Sequence, residues 1–311
     1  MKKRALMADA GLLLVAFIWG TTFVIVQKAI DFVPPNFFNG CRFLLASLIL
    51  LIWWYAQISK KSGIISLKII GAGALLGLFL FLGYSLQTVG LLYTTTSKAG
   101  FITGLSVMIV PLFSVMLLKI KLKWKAAAGA IMGTIGLYLL TNGGVGSFNH
   151  GDLLILFCAI AFALHIIITG MFTEKFDALS LTIVQLLTVS FLSFTASLFF
   201  EKSPVIKQPI FAFFSFEVIS ALIITSLFAT AFAFWAQTAF QKYTSAARVA
   251  LIFAMEPVFA ALAAIILIGE RLTSEGLIGC LLIFLAMIIA ELPDKAFHLL
   301  QKKESTKMAD K

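Results

Sequence analysis

The sequence predicts an all-α integral membrane protein, and three features predict it: the composition, the spacing of charged residues, and an internal repeat. Of 311 residues, 61% are hydrophobic and 12% are charged, and the mean hydropathy is +1.04. Soluble domains carry roughly 45–50% apolar and about 25% charged residues. This balance excludes a secreted disulfide scaffold, a disordered tail and an ordinary cytosolic enzyme, because such a chain cannot keep a water-soluble surface.

Long uncharged intervals mark the membrane crossings, because a charged side chain is costly in hydrocarbon. A crossing helix needs about 20 largely apolar residues. The apolar stretch 243–269 is counted as a crossing although it contains Arg248 and Glu256. We therefore predict ten transmembrane helices, at residues 10–27, 43–59, 69–97, 99–118, 126–151, 153–173, 178–200, 218–241, 243–269 and 274–292.

The distribution of lysine and arginine predicts the orientation. With the N-terminus in the cytoplasm, the cytoplasmic loops and tails carry 18 basic residues and the opposite side carries five. Loops rich in Lys and Arg stay in the cytoplasm, so both the N- and C-termini are predicted to be cytoplasmic. The net charge of +10 comes from these clusters, which form no stripe that could follow a phosphate backbone, and we expect no nucleic-acid partner.

Two prolines hold equivalent places in an internal repeat. The segment around Pro111 aligns with the segment around Pro257 at an offset of 146 residues, which also pairs Gly133 with Gly279. Each proline removes a backbone hydrogen bond and favours a bend inside helix four or helix nine. The paired positions predict a paired hinge, although prolines are also common in membrane helices without a functional role.

The repeat divides the chain into two units. Nearer the N-terminus, Trp19 aligns with Phe162 at an offset of 143 residues. We therefore predict two five-helix repeats, 1–145 and 146–292, followed by a cytoplasmic tail over 293–311. Because five is odd, the second repeat enters the membrane in the opposite orientation. Inverted repeats of this kind are typical of secondary transporters, which bind substrate near the midplane between the halves.

Short motifs add a family resemblance. They are Trp19-Gly20 in helix one, Arg42-Phe43 at the start of helix two, Glu256-Pro257 in helix nine, and Gly269-Glu270-Arg271-Leu272 after it. In this order and spacing the chain resembles the EamA branch of the drug/metabolite transporter superfamily over nearly its whole length. The resemblance implies a secondary transporter, often an exporter, of small metabolites such as amino acids. The family's Gly-Glu-Arg-like turn after helix four is replaced here by Lys119-Ile-Lys121-Leu-Lys123.

Glu256 is the first candidate for substrate binding or coupling, because it lies near the middle of helix nine. An ionised group at the midplane costs roughly 2.5–3.5 kcal/mol on insertion scales, so such groups usually face a bundle interior or a cavity. Proton coupling and a structural role at the Pro257 bend are both open. Arg42 could attract a carboxylate or phosphate, pair with Glu256, or extend to the lipid headgroups.

Other polar and aromatic side chains within the spans complete the predicted site. His165 can change charge near neutral pH, although within a helix bundle a neutral, hydrogen-bonding role is more common. An apolar cavity with a few directed polar groups would suit an amino acid or an aromatic substrate. The remaining candidates are Trp19, Tyr84, Gln87 and Gln185, with Trp235 and Gln237 in the same class of residue.

These features favour export of a small uncharged or zwitterionic metabolite by alternating access, with or without proton coupling. Exchange of phosphorylated or other organic anions is an alternative that would need several cations, yet only Arg42 lies well inside a span. A membrane-embedded lipid-modifying enzyme would need clustered catalytic groups, and none is visible. We expect no enzymatic activity, cofactor or metal. The expected setting is a plasma membrane, that of a bacterial cell, with a small-molecule substrate, the lipid bilayer as partner, and a monomer or homodimer.

Overall fold

The computed structural model of the protein describes residues 2–58, 65–94, 96–119, 121, 123–140, 149–201, 214–268 and 273–291. Every regular element within these ranges is a helix. The first half contains α1 (Lys2–Ile30), α2 (Pro35–Ile58), α3 (Leu67–Gly90), α4 (Thr96–Gly104), α5 (Ser106–Leu118) and α6 (Trp124–Leu140). The second half contains α7 (His150–Thr173), α8 (Ala178–Phe200), α9 (Phe216–Ile224), a π-helical segment (Thr225–Phe232), α10 (Ala233–Gln241), α11 (Ala246–Phe253), α12 (Glu256–Ile268) and α13 (Ser274–Glu291).

Eight helical stretches of the described chain are long and apolar enough to cross a membrane. The pair α4 and α5, the run from α9 to α10, and the pair α11 and α12 each form one of these stretches. The apolar helices α6 and α13 are shorter. The all-α membrane fold is therefore confirmed, whereas the count of ten crossings and the cytoplasmic location of both termini stay predictions. The predicted tail, 293–311, lies outside the described residues.

Polar side chains fix the ends of several helices. The Asn149 side chain accepts a hydrogen bond from the backbone N–H of Asp152 (3.0 Å), and the Asp152 carboxylate accepts one from the backbone N–H of Asn149 (3.0 Å). At the start of α2, the Glu201 carboxylate accepts from the backbone N–H groups of Asn36 (2.6 Å) and Phe37 (3.2 Å). Such caps pair the N–H groups that a first helical turn leaves free. The second cap also joins the two halves, because Glu201 follows α8.

Two helices that the sequence predicts as continuous are interrupted. The predicted helix 99–118 is broken at Leu105, between α4 and α5, and the predicted helix 243–269 is broken at 254–255, between α11 and α12. Each remains a single apolar stretch long enough to cross a membrane, with an interruption inside it. The predicted helix 218–241 is likewise not uniform, because its middle turns form the π-helical segment.

The two prolines lie at unequal places relative to these breaks. Pro257 is the second residue of α12 and follows its break directly, a position that suits a residue without a backbone N–H. Pro111 lies inside α5, six residues beyond the break at Leu105. The repeat in the sequence is thus not matched by an equal placement of both prolines, and their role as hinges stays a prediction.

The halves interlock through several helix pairs, of which α6 with α13 makes the most extensive contact. A methyl group on Gly136 would meet the carbonyl oxygen of Gly279 at 2.8 Å and the Ile283 side chain, while one on Gly279 would meet the carbonyl oxygen of Gly136 and the backbone of Leu140, both at 2.5 Å. The contacts are reciprocal, because Gly136 meets Ile283 as Gly279 meets Leu140, and both pairs of equivalent positions are 143 residues apart. The sequence alignment pairs Gly133 with Gly279 at an offset of 146 instead.

One end of the bundle is filled with apolar side chains. The buried cluster there joins α1, α5, α11 and α13 through residues that include Leu12, Val110 and Ile252. At the same end, Arg248 on α11 forms an ion pair with Asp9 on α1. The first part of α1 is thereby held against the second half of the chain.

Candidate substrate-binding cavity

A cavity of about 480 Å³ lies between the two halves. Its walls come from α1, α2, α3, α4, α5, α6, α7, α10, α11 and α12. It reaches from Glu256 toward Gln27, Leu91 and Ile265, near the end of the bundle at which α1 and α3 finish. Its volume falls within the usual range for sites that take small molecules, roughly 300–1,000 Å³.

Both helix breaks border this cavity. Gly104 and Ser106 line it on either side of the first break, and Ala254 and Glu256 line it at the second. A break leaves backbone groups without their usual helical partners, and such interrupted helices commonly form the substrate sites of transporters. Hydrogen bonds continue at both breaks here, because the N–H of Leu105 donates to the carbonyl oxygen of Phe101 and the N–H of Ala254 donates to that of Ala250.

Arg42 is buried in the wall of the cavity, with 3% of its surface exposed. Its Nε donates a hydrogen bond to Thr230 Oγ1 (2.6 Å), its Nη2 donates one to the carbonyl oxygen of Ala229 (3.3 Å), and its guanidinium lies 5.1 Å from the centre of the Tyr84 ring. The alternative in which Arg42 extends to the headgroups is therefore wrong, because its side chain is directed into the bundle.

The π-helical segment also anchors α1. The indole N–H of Trp19 donates a hydrogen bond to the same carbonyl oxygen of Ala229 (2.8 Å). The Trp19 ring contacts Phe253 at 4.9 Å and Phe234 at 5.3 Å between ring centres. π-Helical turns concentrate at functional sites. Here one carbonyl of such a turn fixes both an aromatic side chain and the guanidinium of Arg42.

Glu256 begins α12 and lines the cavity. Gly20 lets α1 approach this point closely: a methyl group there would collide with the carbonyl oxygen of Glu256 and lie 2.9 Å from the Ala260 nitrogen. Glu256 and Arg42 are close enough for their charges to interact, although within the described residues they form no direct ion pair. Among the described residues that line the cavity, these two are the only carboxylate and the only Lys or Arg.

His165 lines the cavity from α7 and begins a buried chain of hydrogen bonds. Its Nε2 lies 3.0 Å from Gln185 Oε1, and Gln185 Nε2 donates to Thr238 Oγ1 (3.3 Å). The Thr238 hydroxyl in turn donates to the carbonyl oxygen of Phe234 (2.7 Å). Gln185 is thus placed behind His165 rather than at the cavity surface, which differs from the prediction that it belongs to the site itself.

Tyr84 and Gln87 contribute a further wall from α3. The Tyr84 ring meets Phe43 at 5.0 Å and Phe162 at 5.4 Å in edge-to-face contacts. Gln87 Nε2 donates to Thr103 Oγ1 (3.4 Å) and so joins α3 to α4. This side of the cavity is largely aromatic, with a polar group where α4 approaches its break.

The structure brings six of the seven predicted binding or coupling residues to one cavity, together with one predicted hinge proline; Gln185 and Pro111 do not line it. The six and the proline are Glu256, Arg42, Trp19, His165, Tyr84, Gln87 and Pro257.

Three aromatic residues of the cavity wall, Phe162, Phe234 and Phe253, could not be assigned to the site from the sequence. Buried apolar rings in a membrane helix have the same sequence pattern as rings that face lipid. The repeat offers a signal for Phe162, which aligns with Trp19. Among the described residues no group of three His, Cys, Asp or Glu could hold a metal ion.

A membrane-embedded helical bundle that encloses a largely apolar cavity with a few polar and charged groups, between two related halves, has the architecture of a membrane transporter. Sequence comparison gives the particular family: the profile of the EamA-like transporter family matches residues 6–142 and again 149–291. The chain belongs to the EamA-like transporter family, as the motifs predict. It is a multi-pass membrane protein of the plasma membrane and not an enzyme, which removes the lipid-modifying alternative.

Similar proteins carry transporter names. An uncharacterized transporter of Archaeoglobus fulgidus is 35% identical over 292 residues, covering 93% of this chain and 87% of that protein. The S-adenosylmethionine/S-adenosylhomocysteine transporter of Chlamydia muridarum is 30% identical over 138 residues, covering 42% of this chain and 41% of that protein. A solved crystal structure shares the fold with a TM-score of 0.75 and 20% identity, covering 92% of this chain and 98% of the other.

Proposed function

We propose that this protein is a secondary transporter that exports a small metabolite by alternating access, with the cavity as its substrate site. The observation that carries the proposal is the pair of opposite charges, Arg42 and Glu256, at the wall of one cavity between the halves. Ionisable groups inside a membrane protein are costly and usually mark a substrate or ion pathway. Neither charged side chain is required for the formation of the membrane-embedded helix that carries it.

The chemistry of the wall favours a zwitterionic or uncharged substrate. One cation and one carboxylate give the cavity no net charge when both are ionised. The rings of Trp19, Tyr84 and Phe234 provide an apolar surface for the body of the substrate. An amino acid or a similar metabolite fits this combination, and the substrates named for the relative in Chlamydia muridarum also carry an amino-acid group.

Exchange of phosphorylated or other organic anions is the second candidate and fits less well. Recognition of a multiply charged anion needs several cations or free N–H donors. Arg42 is the single Lys or Arg at the cavity wall in the described part of the chain, and two of its donors already bond to Thr230 and Ala229. A lone, already engaged guanidinium favours a substrate with one carboxylate.

Alternating access would require the cavity to exchange its exposure between the two ends of the bundle. It extends toward the end at which α1 finishes, while the apolar cluster and the Asp9–Arg248 ion pair close the opposite end. With the orientation predicted from the basic residues, this conformation faces outward. The breaks next to Glu256 and at Leu105 are where we propose that α11–α12 and α4–α5 bend, with Pro257 and Pro111 as the candidate hinge residues.

Proton coupling is assigned in this proposal to Glu256. A carboxyl group that exchanges a proton in the cavity would change its attraction to Arg42 and thereby the balance between the two conformations. His165 is a second titratable group at the same wall. Its engagement with Gln185 favours a hydrogen-bonding role over coupling.

The test measures extracellular metabolites from cells that overproduce the wild type, Glu256→Gln, Glu275→Gln or an empty vector. Glu275 is an exposed carboxylate on α13 and provides a matched control. We expect one class of compound to accumulate outside cells with the wild type and Glu275→Gln, and not with the other two. Equal metabolite profiles in all four cultures would contradict export.

A further inference from the structure

We propose that Gln237 and the Nδ1 atom of His165 form a hydrogen-bonding subsite that holds an N–H donor group of the substrate, such as a primary ammonium or an amide. This inference rests on the proposed function, because it assigns one part of the same cavity. His165 lies on α7 and Gln237 lies on α10.

Gln237 is a buried amide at the wall of the cavity. It is 2% exposed, it lines the cavity, and its Oε1 has no hydrogen bond within the described residues. Leaving a buried polar group unpaired is costly. Its neighbour one turn along α10, Gln241, instead donates to the carbonyl oxygen of Ile166. An amide oxygen at the cavity wall without a partner among the described residues is thus available to a bound molecule.

The chain of hydrogen bonds behind His165 determines which ring nitrogen is free. The single hydroxyl proton of Thr238 goes to the carbonyl oxygen of Phe234, so Thr238 Oγ1 can only accept from the Gln185 amide N–H. Gln185 therefore presents its Oε1 to His165, and His165 Nε2 must carry the proton. In the neutral ring, Nδ1 is then an acceptor.

Two acceptors on adjacent helices define a place for a donor. Helices α7 and α10 pack directly on each other, and His165 and Gln237 both line the cavity. The surrounding wall is aromatic, with the Phe234 ring 6.2 Å from the His165 ring. The Glu256 carboxylate is a further acceptor in the same cavity, so the proposal assigns to Gln237 and His165 a share of the recognition of the donor rather than all of it. The guanidinium of Arg42, two of whose donors bond to Thr230 and Ala229, is the cation of the same cavity that could meet a carboxylate at the opposite end of the substrate.

The experiment uses thermal unfolding of the purified full chain with three probes of matched size: 2-phenylethylamine, L-phenylalanine and 3-phenylpropanoate. We expect the two amines to stabilise the wild type more than 3-phenylpropanoate does. Gln237→Leu should unfold no earlier than the wild type without a probe, because it removes an unpaired polar group. It should also weaken the apparent affinity for the amines about tenfold or more, since one hydrogen bond to a charged donor is lost.

Two further variants separate binding from folding. Gln241→Leu is the matched control on the same helix: it should lower the unfolding temperature, because the hydrogen bond from Gln241 to the carbonyl oxygen of Ile166 is lost, and keep the preference for amines. His165→Gln keeps a hydrogen-bonding group at the Nε2 position but removes Nδ1, and it should weaken amine binding as Gln237→Leu does. Equal stabilisation by all three probes, no stabilisation by the amines, or an unchanged preference in Gln237→Leu would overturn the subsite.

The export assay distinguishes failure of the subsite proposal from failure of the proposed transport function. If the wild type exports a compound and Gln237→Leu exports it equally well, the subsite is wrong and the transport proposal stands. If the wild type exports nothing while amines bind in a Gln237-dependent way, the subsite stands and export is wrong.

Discussion

Arg42 Nε donates a 2.6 Å hydrogen bond to Thr230 Oγ1, and this contact joins a buried cation on α2 to the π-helical segment of the other half. The adjacent carbonyl of Ala229 accepts from both Arg42 and Trp19. Hydrogen bonds that involve an ionised donor are stronger than neutral ones. Any rearrangement that brings Arg42 to a substrate carboxylate or to Glu256 must therefore replace bonds that hold the two halves together.

Thr230→Val should weaken this connection without changing the shape of the side chain. Arg42 then loses one charge-assisted hydrogen bond in a buried site, and we expect the free energy of unfolding to fall by about 1.5–3 kcal/mol. Thr134→Val is the control, because within the described residues the Thr134 hydroxyl bonds only to the carbonyl oxygen of Ala130 in its own helix; its effect should stay within about 0.5 kcal/mol. Equal effects of the two substitutions would contradict the assigned role of Thr230.

Glu256→Gln should remove the pH dependence of transport. The substitution keeps the size of the side chain but cannot release or take up a proton, and the other titratable groups at this wall are Arg42, Tyr84 and His165. In proteoliposomes, the initial rate for a compound found in the export assay should no longer respond to an imposed pH gradient. Glu275→Gln should respond as the wild type does. A response to the gradient that persists in Glu256→Gln would assign coupling elsewhere.

Asp9→Asn should open the end of the bundle that the ion pair closes. The side chains of Asp9 and Arg248 are 7% and 28% exposed, so their attraction is only partly screened by solvent. Loss of about 1–2 kcal/mol would raise the open population about fivefold or more. Labelling of Ala16→Cys, a buried position on α1, by a thiol reagent should therefore increase.

The labelling experiment uses a background in which Cys41, Cys158 and Cys280 are replaced by Ala. The double exchange Asp9→Arg with Arg248→Asp restores an ion pair and should return the labelling rate toward that of the parent. An unchanged rate in Asp9→Asn would show that the apolar cluster alone closes this end.

Gly136→Ala and Gly279→Ala should each destabilise the contact between α6 and α13. A methyl group at either position would lie within 2.8 Å of the opposite backbone, and overpacking of this kind costs about 1–3 kcal/mol. Gly71→Ala serves as the control, because nothing lies within 4 Å of the methyl group it would add. We expect that variant to be as stable as the wild type or more so, as judged by unfolding in detergent. A loss of stability in Gly71→Ala equal to the other two would contradict a packing effect.

The membrane fold could be predicted because the cost of placing charge in hydrocarbon acts locally along the chain. The predicted helix over 178–200 has the same limits in the structure, where α8 begins after Asp177 and ends before Glu201. The breaks at Leu105 and before Glu256 could not be predicted in the same way. Both stretches are as apolar as a continuous helix, and their interruption depends on what packs around them.

Some residues of the candidate site could likewise be predicted from the sequence, and others could not. Glu256 and Arg42 were identified because a charged residue in an apolar stretch is conspicuous in any sequence. The hydrogen-bond partners of Arg42 were not, because Thr230 and the carbonyl of Ala229 belong to groups that occur throughout membrane helices. Gln185 and Gln237 show the limit most clearly: the two amides are alike in sequence, yet one supports His165 from behind and the other faces the cavity.

The sequence by itself determined that this chain crosses a membrane repeatedly, that it consists of two related halves, and that it belongs to a transporter family. Those properties depend on composition, spacing and short motifs, each of which can be read along the chain. Only the tertiary structure decided which side chains share a cavity, which of them are already hydrogen-bonded, and which end of the bundle is closed. Such relationships join residues more than 180 positions apart, as Arg42 joins Thr230, and they follow from packing in three dimensions that no local pattern encodes.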